Sequence, residues 1–308
     1  MPSQLAEPDH PPPILYHYTT LSGICGIVGT QCLWATSIRH LNDSTEFTYA
    51  HRVLREVLEG ATRGTTAGVS AAVEFMVSYL DVSERWVASS FMGKFGTTYV
   101  VSLSTDPDKL SQWRAYCAGG GYSLGLRLEA LRAVERHHGF GLVQCSYDRN
   151  KHVAEAQVIA DRVMAAVDAL PADILPNIAP GGSHSPRAIQ SWLFPIRQKM
   201  TEEILQRAAI WKHPAFIEEA EWRLVSEQRL ERKVKFRAGR TAIIPYVEIA
   251  LDEIEETQIS NMTAVLSHVY VGPCPEPELA VGSVQHLLDA NRMSCPQISL
   301  SSIPYRHW

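Results

Sequence analysis

The chain has 308 residues, a formal net charge of −5 and 45% hydrophobic residues. This length supports one large or two modest domains. The negative charge argues against a general attraction to nucleic acid or to an anionic membrane, although a local basic patch leaves nucleic acid open as a partner. No apolar run is long enough to span a bilayer, and the proline-rich N-terminus lacks a signal pattern. The six cysteines form no CxxC pair, which argues against a zinc site or a disulfide framework and favours the cytoplasm.

The stretch from Leu15 to Phe47 predicts a strand, a short helix, a second strand, a polar loop and a capped helix. Ser22 is expected to cap the short helix and Gly29 to end it. Asp43 and Glu46 form a capping box for the next helix. Polar side chains then lie at the ends of elements, where they can meet a ligand. They are His17, Thr19, Thr36, Ser37, Asn42, Asp43 and Glu46.

The rest of the chain mixes helical and strand patterns without strict alternation, which favours an α+β fold over a doubly wound sheet. Further helices are predicted over 47–58, 69–87, 109–116, 153–170, 187–209 and 276–290. Further strands are predicted over 99–104, 122–128, 142–147, 219–226, 233–237, 242–249, 265–271 and 297–300. Pro195 is expected to kink or split its helix, and Pro245 to place its strand at a sheet edge.

The domain prediction follows from these patterns. Residues 1–13 are expected to be a disordered arm, and 14–300 a single α+β domain with a helical insertion at about 150–210. Residues 301–308 are expected to form a C-terminal tail.

His17-Tyr18-Thr19 at the end of the first strand is the first candidate for ligand binding. A histidine there can donate to a ribose hydroxyl, and Thr19 can add a second polar contact. The alternative is a core histidine bonded to a backbone carbonyl, which the local pattern favours. In the loop after the second strand, an Asx turn and a capping box explain Asp43 and Glu46 and leave Asn42 unexplained.

Trp113 and Tyr116 lie three residues apart on one helical face and can stack on a planar ring. The glycine run 119–121 after them permits close backbone approach, but it lacks the Walker lysine and the GxGxxG spacing. The alternative is an aromatic pair in the core followed by a flexible turn.

Two carboxylates and an arginine form the last candidate. In a strand, Glu219, Glu221 and Arg223 share one face, where a carboxylate can stabilise a cationic sugar or activate a nucleophile. The alternative is a solvated face with a Glu221–Arg223 ion pair. The histidines and cysteines do not cluster with ligand spacing, so no metal is expected, and His137-His138 before Gly139 are expected to end a helix.

Four blocks together resemble the bacterial domain-of-unknown-function family 2971, from about Leu15 to Leu288. The blocks read LYHYT…LWATSIRHLNDSTEF, SLSTDPDKLSQWRAYCAGGGYSLGL, FIEEAEWRLV and VYVGP. Each block alone is unspecific, and the family name carries little function.

The opening of the chain is also similar to that of the ADP-ribosyltransferase fold, in which a histidine-x-threonine on the first strand holds NAD. This resemblance implies that a tyrosine stacks on nicotinamide and that Glu221 or Glu219 stabilises the oxocarbenium-like transition state. Tyr18 replaces a glycine common in one branch of that fold, and the helical insertions are larger here. The predicted cofactor-binding residues are His17, Tyr18, Thr19, Thr36, Ser37, Asn42, Trp113, Tyr116 and Tyr122.

The resulting expectation is an α+β protein whose mixed β-sheet core resembles the ADP-ribosyltransferase fold. Its expected function is NAD-dependent ADP-ribosyl transfer or NAD cleavage, with NAD as substrate, an unspecified macromolecular acceptor and a role as a toxin or in phage defence. The alternative is a non-catalytic nucleotide- or protein-binding module. A third possibility is a hydrolase of phosphodiesters or nucleic acid, which the negative charge and the lack of metal ligands disfavour.

Overall fold

The computed structural model describes residues 12–41, 45–85, 98–117, 120–178, 186–227, 233–239, 242–251, 265–293 and 297–305. The chain divides into two compact units. The first, here called the sheet unit, comprises Met1–Asn42, Tyr99–Cys145 and Glu218–Trp308. The second, the helical unit, comprises Asp43–Thr98 and Ser146–Ile217. It therefore combines the stretch that the sequence predicted as an insertion with an earlier segment of the chain.

In the described part of the chain, ten strands form the sheet. They are β1 (Ile14–Thr20), β2 (Cys32–Ser37), β3 (Tyr99–Ser104), β4 (Gly121–Arg127), β5 (Phe140–Gln144), β6 (Glu221–Ser226), β7 (Lys235–Ala238), β8 (Ile243–Ala250), β9 (Leu266–Val271) and β10 (Ile298–Leu300). Their order is β10-β9-β4-β1-β3-β2-β8-β7, and β6 pairs with both β3 and β5. The β9–β10 pair is parallel and the other described pairs are antiparallel. The mixed sheet with its helices confirms the α+β class.

Nine α-helices accompany these strands in the described part of the chain. The sheet unit holds α1 (Leu21–Thr30), α4 (Leu110–Tyr116), α5 (Leu128–His138) and α9 (Pro277–Ala290). The helical unit holds α2 (Thr45–Ala61), α3 (Ala67–Arg85), α6 (Arg149–Asp168), α7 (Ile174–Ile178) and α8 (Pro186–Ala208). Short 3-10 helices occur at Ile38–His40 and Pro214–Glu219. None of the described helices has both the length and the apolar character that crossing a membrane requires.

The core of the sheet unit lies on one face of the sheet, where alternate residues of neighbouring strands meet in rows. Leu126 on β4 pairs with Leu15 on β1 and with Leu266 on β9, and all three side chains are fully buried. Complete burial of a leucine contributes roughly 1.5–3 kcal/mol. Helices α1, α5 and α9 contact strands of this sheet. Packing of buried apolar side chains therefore joins both the strands and these helices.

The sheet divides beside β3, and this division positions the candidate site. Strand β6 pairs with β3 from Val100 to Ser104, whereas β1 meets β3 only at Ser104 and β2 meets it only at Tyr99 and Val100. Because a strand has two hydrogen-bonding edges, β1 and β2 must share the edge that β6 leaves open. They occupy its opposite ends, and the middle of β3 is left without a strand partner on that side.

Helix α1 links the two diverging strands, and its ends differ from the prediction. Its N-cap is Thr20, whose Oγ1 accepts from the Gly23 amide at 3.1 Å, and Ser22 lies inside the first turn. The helix continues through Gly29 and ends before Gln31, which adopts φ 52. Cap preference alone does not separate Thr20 from Ser22, because both hydroxyls accept equally well and the end of β1 decides between them.

Two other local predictions have clear outcomes. Gly139 adopts φ 66 and closes α5 directly after His138, which confirms the predicted helix end. The prediction that Pro245 marks an edge strand is wrong, because β8 pairs with both β2 and β7. Pro245 lies opposite Phe236 of β7, just before the segment that pairs with β2, so the missing N–H removes no bond to β2.

The buried side chain of His152 contacts several parts of the helical unit. His152 on α6 has Nδ1 at 2.9 Å from the Tyr49 hydroxyl and Nε2 at 3.0 Å from the Ser146 carbonyl. Since a carbonyl only accepts, Nε2–H donates and Nδ1 accepts from Tyr49. The ring stacks on Trp211 with centroids 5.0 Å apart, and burial lowers the pKa of His152. These contacts link α2, α6 and the segment after α8 through a neutral imidazole.

Candidate functional site

His17 lies at the point where β1 leaves β3. Its Nδ1 is 2.9 Å from the Ser102 carbonyl, so the ring donates to a backbone oxygen in the unpaired middle of β3. This bond fixes the tautomer of the neutral ring and leaves Nε2 with an available lone pair. Burial lowers the pKa of His17, the bond to Ser102 raises it, and the positive charge of Arg237 lowers it again. The imidazole is therefore neutral at physiological pH.

The positive charge that acts on this histidine belongs to Arg237 on β7. Its Nη2 donates to Thr36 Oγ1 on β2 at 3.0 Å, and its guanidinium carbon lies 5.9 Å from the centre of the Trp34 ring. Its buried Nε, like the buried Trp34 Nε1, has no hydrogen-bond partner among the described residues. Arg237 is half-buried, and this burial lowers its pKa while nearby Tyr246 raises it.

The pairing of β2, β8 and β7 brings two aromatic rings and a carboxylate to the same face. Trp34 pairs with Glu248 and Thr36 with Tyr246, so these four side chains share one face of the sheet. The Trp34 and Tyr246 ring centroids are 4.9 Å apart. Glu248 forms an ion pair with Lys235 at 2.5 Å, and the exposed fractions of the two side chains are 20% and 44%.

This face combines groups that suit an anionic ligand with a planar ring. Arg237 has no carboxylate partner in the described part of the chain, and unmatched buried donors favour a ligand rich in acceptors. Aromatic rings offer a stacking surface, and a carboxylate stabilises nearby positive charge. We call these residues the cleft site: Trp34, Thr36, Arg237, Tyr246 and Glu248 on this face, together with His17 at the edge between β1 and β3.

Sequence reasoning identified His17 and Thr36 but missed the other four members of the cleft site. The sequence signal that could have found three of them is the strand alternation that singled out Glu221. In β8, Tyr246 and Glu248 share one face, and in β7, Lys235 and Arg237 share one face. Only the pairing of both strands with β2 shows that these faces adjoin Thr36.

Several predicted cofactor contacts are instead used inside the protein. The Tyr18 hydroxyl donates to the Asp106 carbonyl at 2.8 Å and accepts from the Lys109 amide at 2.9 Å. Trp113 is 1% exposed, packs edge-on against Tyr18 and donates from Nε1 to Asp108 at 2.8 Å. These bonds attach α4 to β1, so neither side chain is available for stacking on a nicotinamide ring.

The remaining predicted contacts do not meet at one place. Tyr116 is half-buried and packs against the Tyr18–Trp113 cluster. Thr19 pairs across the strands with Tyr122, and both are buried. Ser37 is 1% exposed, and strand alternation places it on the opposite face from Thr36. Asn42 and Asp43 lie outside the described residues, as does the side chain of Glu46.

The predicted carboxylates have different environments. Glu221 at the start of β6 accepts from Arg223 Nε at 2.8 Å and from Nη2 at 3.0 Å, with side-chain exposures of 4% and 1%. The predicted ion pair is therefore present, but the expectation of a solvated strand face is wrong. Glu219 does not lie on the strand: it ends a 3-10 helix, and Ala220 with φ 43 separates it from β6.

The family comparison matches the middle of the chain. Residues 112–224 match the family described as Protein of unknown function (DUF2971). This match covers less than half of the chain and supports the predicted resemblance over these residues. The DUF2971 segment begins in α4 and ends in β6, so it includes Glu221 but none of the six residues of the cleft site. No curated protein and no solved structure matches the chain, and the likeness to the ADP-ribosyltransferase fold stays a prediction.

Proposed function

We propose that this protein uses NAD as a substrate, transferring its ADP-ribosyl group to a macromolecular acceptor or cleaving it, and that it acts in the cytoplasm as a toxin or a defence effector. The observation that carries the proposal is Arg237, a half-buried cation without a described carboxylate partner, which donates to Thr36 and whose charge lowers the pKa of His17. An arginine in this state favours a diphosphate, since guanidinium groups bind phosphate oxygens with charge-assisted bonds.

His17 supplies the contact that distinguishes a nucleotide from a free phosphate. With Nδ1–H committed to the Ser102 carbonyl, the neutral ring accepts a hydrogen bond at Nε2. A ribose hydroxyl is a suitable donor to this nitrogen. The direction of this bond differs from the sequence-based expectation, in which the histidine donated, because the Ser102 contact selects the tautomer.

The reacting end of NAD, which is nicotinamide and its ribose, is expected to contact Trp34, Tyr246 and Glu248. The half-buried Trp34 ring offers apolar surface to nicotinamide, and the buried Tyr246 ring packs against it. When the bond between the ribose and nicotinamide breaks, positive charge develops on the sugar, and the Glu248 carboxylate stabilises that charge. An acceptor nucleophile then bonds to the sugar carbon, or water does so in simple NAD cleavage. Glu221 is less suited to this role, because Arg223 engages both of its oxygens.

The test measures NAD consumption and transfer of labelled ADP-ribose to cell lysate, together with the dissociation constant for NAD. Glu248→Gln should lower turnover by roughly 10²–10³, the scale seen when one preorganised electrostatic group is removed, while NAD binding persists. Lys235→Met is the matched control, because it removes the partner of Glu248 but keeps the carboxylate, and it should retain turnover.

Three outcomes contradict parts of this proposal. If the wild type binds NAD without consuming it in lysate, the protein is a nucleotide-binding module. If it neither binds nor consumes NAD, the NAD proposal fails entirely. If Glu221→Gln abolishes turnover of the folded protein while Glu248→Gln does not, the chemistry stands and the catalytic carboxylate is Glu221.

A further inference from the structure

Two adjoining cavities lie in the sheet unit, apart from the residues of the cleft site. Their volumes are about 350 Å³ and about 430 Å³, and both are lined by Leu21, Tyr122 and Ser283. These residues come from the first turn of α1, the start of β4 and the middle of α9. Cavities of this size fall within the range of small-molecule sites in proteins.

The lining of the cavities is mostly apolar. Leu21 and Leu279 contribute to it and are nevertheless 53% and 63% exposed. Further apolar residues lie deeper, and they are Ile24, Val271, Ala280, Val284 and Leu287. An apolar ligand that contacts these side chains removes their surface from water, which gives the main driving force for binding.

The Tyr122 hydroxyl provides a polar group at the junction of the two cavities. The residue is 5% exposed, and its hydroxyl has no hydrogen-bond partner in the described part of the chain. Burial raises the pKa of Tyr122, and nearby Cys274 and Cys25 raise it further. The phenol therefore stays protonated and can donate to an acceptor on a ligand.

The residues around the cavities select against an anionic ligand. Glu276 lines the first cavity and His286 the second, and the described lining residues include no lysine or arginine. A carboxylate bound here would lose hydration without gaining a lysine or arginine partner, and in the first cavity Glu276 would repel it. A neutral ligand avoids both costs.

We propose that these cavities form a binding site for a small, neutral, largely apolar molecule that carries one hydrogen-bond acceptor, for which Tyr122 is the donor. The proposal is independent of NAD chemistry. Its test is calorimetric titration of the full chain with 1-octanol and, as the charged counterpart of equal chain length, with octanoate.

We expect saturable binding of 1-octanol and at least tenfold weaker binding of octanoate. Ser283→Trp places an indole at the shared lining and should abolish binding, whereas Gln285→Trp, on an exposed position of the same helix, should leave it unchanged. Tyr122→Phe keeps the ring and removes the donor, and it should weaken binding about 2- to 12-fold, the range of one net hydrogen bond.

The proposal fails if 1-octanol does not saturate, or if both tryptophan variants bind it like the wild type. Octanoate binding as tight as that of the alcohol overturns the neutral-ligand assignment. Wild-type affinity in Tyr122→Phe overturns the role of the hydroxyl, and circular dichroism verifies that each variant is folded.

Discussion

Two glutamate–cation pairs on strands of the same sheet show how burial changes the role of one residue type. On β6, Glu221 and Arg223 are bonded through two nitrogens and are 4% and 1% exposed. On β8 and β7, Glu248 and Lys235 are paired but 20% and 44% exposed. A buried charge is uncompensated when its partner is lost, whereas water compensates an exposed one. The first pair is therefore structural, whereas the carboxylate of the second pair is partly exposed to solvent.

The largest expected effect comes from breaking the buried pair. Glu221→Gln should lower the free energy of unfolding by about 3–5 kcal/mol, because it removes the carboxylate that accepts two bonds from the buried Arg223 guanidinium. Urea denaturation measures this loss. A decrease of less than about 1 kcal/mol would mean that the Glu221–Arg223 pair contributes little to the stability of the fold.

A double variant sharpens this test. Replacing Glu221 by Leu and Arg223 by Met together removes both buried charges and keeps similar volumes. Replacement of a buried pair by apolar residues is often neutral or stabilising. The double variant should therefore be more stable than Glu221→Gln, and the two single variants Glu221→Leu and Arg223→Met complete the cycle that gives the coupling between the two residues.

The second effect concerns ligand binding near the exposed pair, Glu248 and Lys235. Arg237→Met should weaken NAD binding about 10- to 150-fold, the range of one charge-assisted hydrogen bond. Because Arg237 has a buried Nε without a described partner, the fold should tolerate its loss. Isothermal titration with NAD measures the change.

Lys235→Met is the control for this measurement. Lys235 also lies on β7 and is exposed, so its removal should leave the affinity for NAD close to the wild-type value. Equal losses in the two variants would assign the effect to the general charge of β7 rather than to Arg237.

The smallest effect is the pH dependence of stability at His17. Its pKa in the folded protein is lowered by burial, whereas the unfolded chain titrates near its usual value of about 6.5. As the pH falls below about 6.5, the unfolded state binds a proton that the folded state resists, so stability decreases. His40, His152 and His268 have lowered pKa values as well and add to this acid dependence.

The stability of His17→Gln should therefore decrease less steeply with falling pH than that of the wild type, but it should still decrease. Denaturation at several pH values between 7.5 and 5 measures the slope, with His286→Gln, an exposed histidine on α9, as the control. An unchanged slope in His17→Gln would contradict the assignment of His17 as a neutral buried donor.

Local sequence patterns predicted most elements because each depends on nearby residues. The alternation in β4 and the glycine after His138 specify a strand and a helix end without reference to distant parts of the chain. Helix α5 was missed as an element although its end was found. The DUF2971 resemblance was also available from sequence blocks alone and is confirmed over residues 112–224.

What the sequence by itself determined is the α+β class, the resemblance of its middle to DUF2971 and the polar character of His17 and Thr36. Only the tertiary structure decided which residues accompany them: the pairing of β2 with β8 brings Glu248 opposite Trp34, and β7 brings Arg237 to Thr36 across 201 positions of the chain. It also decided that Glu221 is buried with Arg223. The physical reason is that strand pairing and burial depend on contacts between distant segments, whereas local patterns record only which face of an element is apolar.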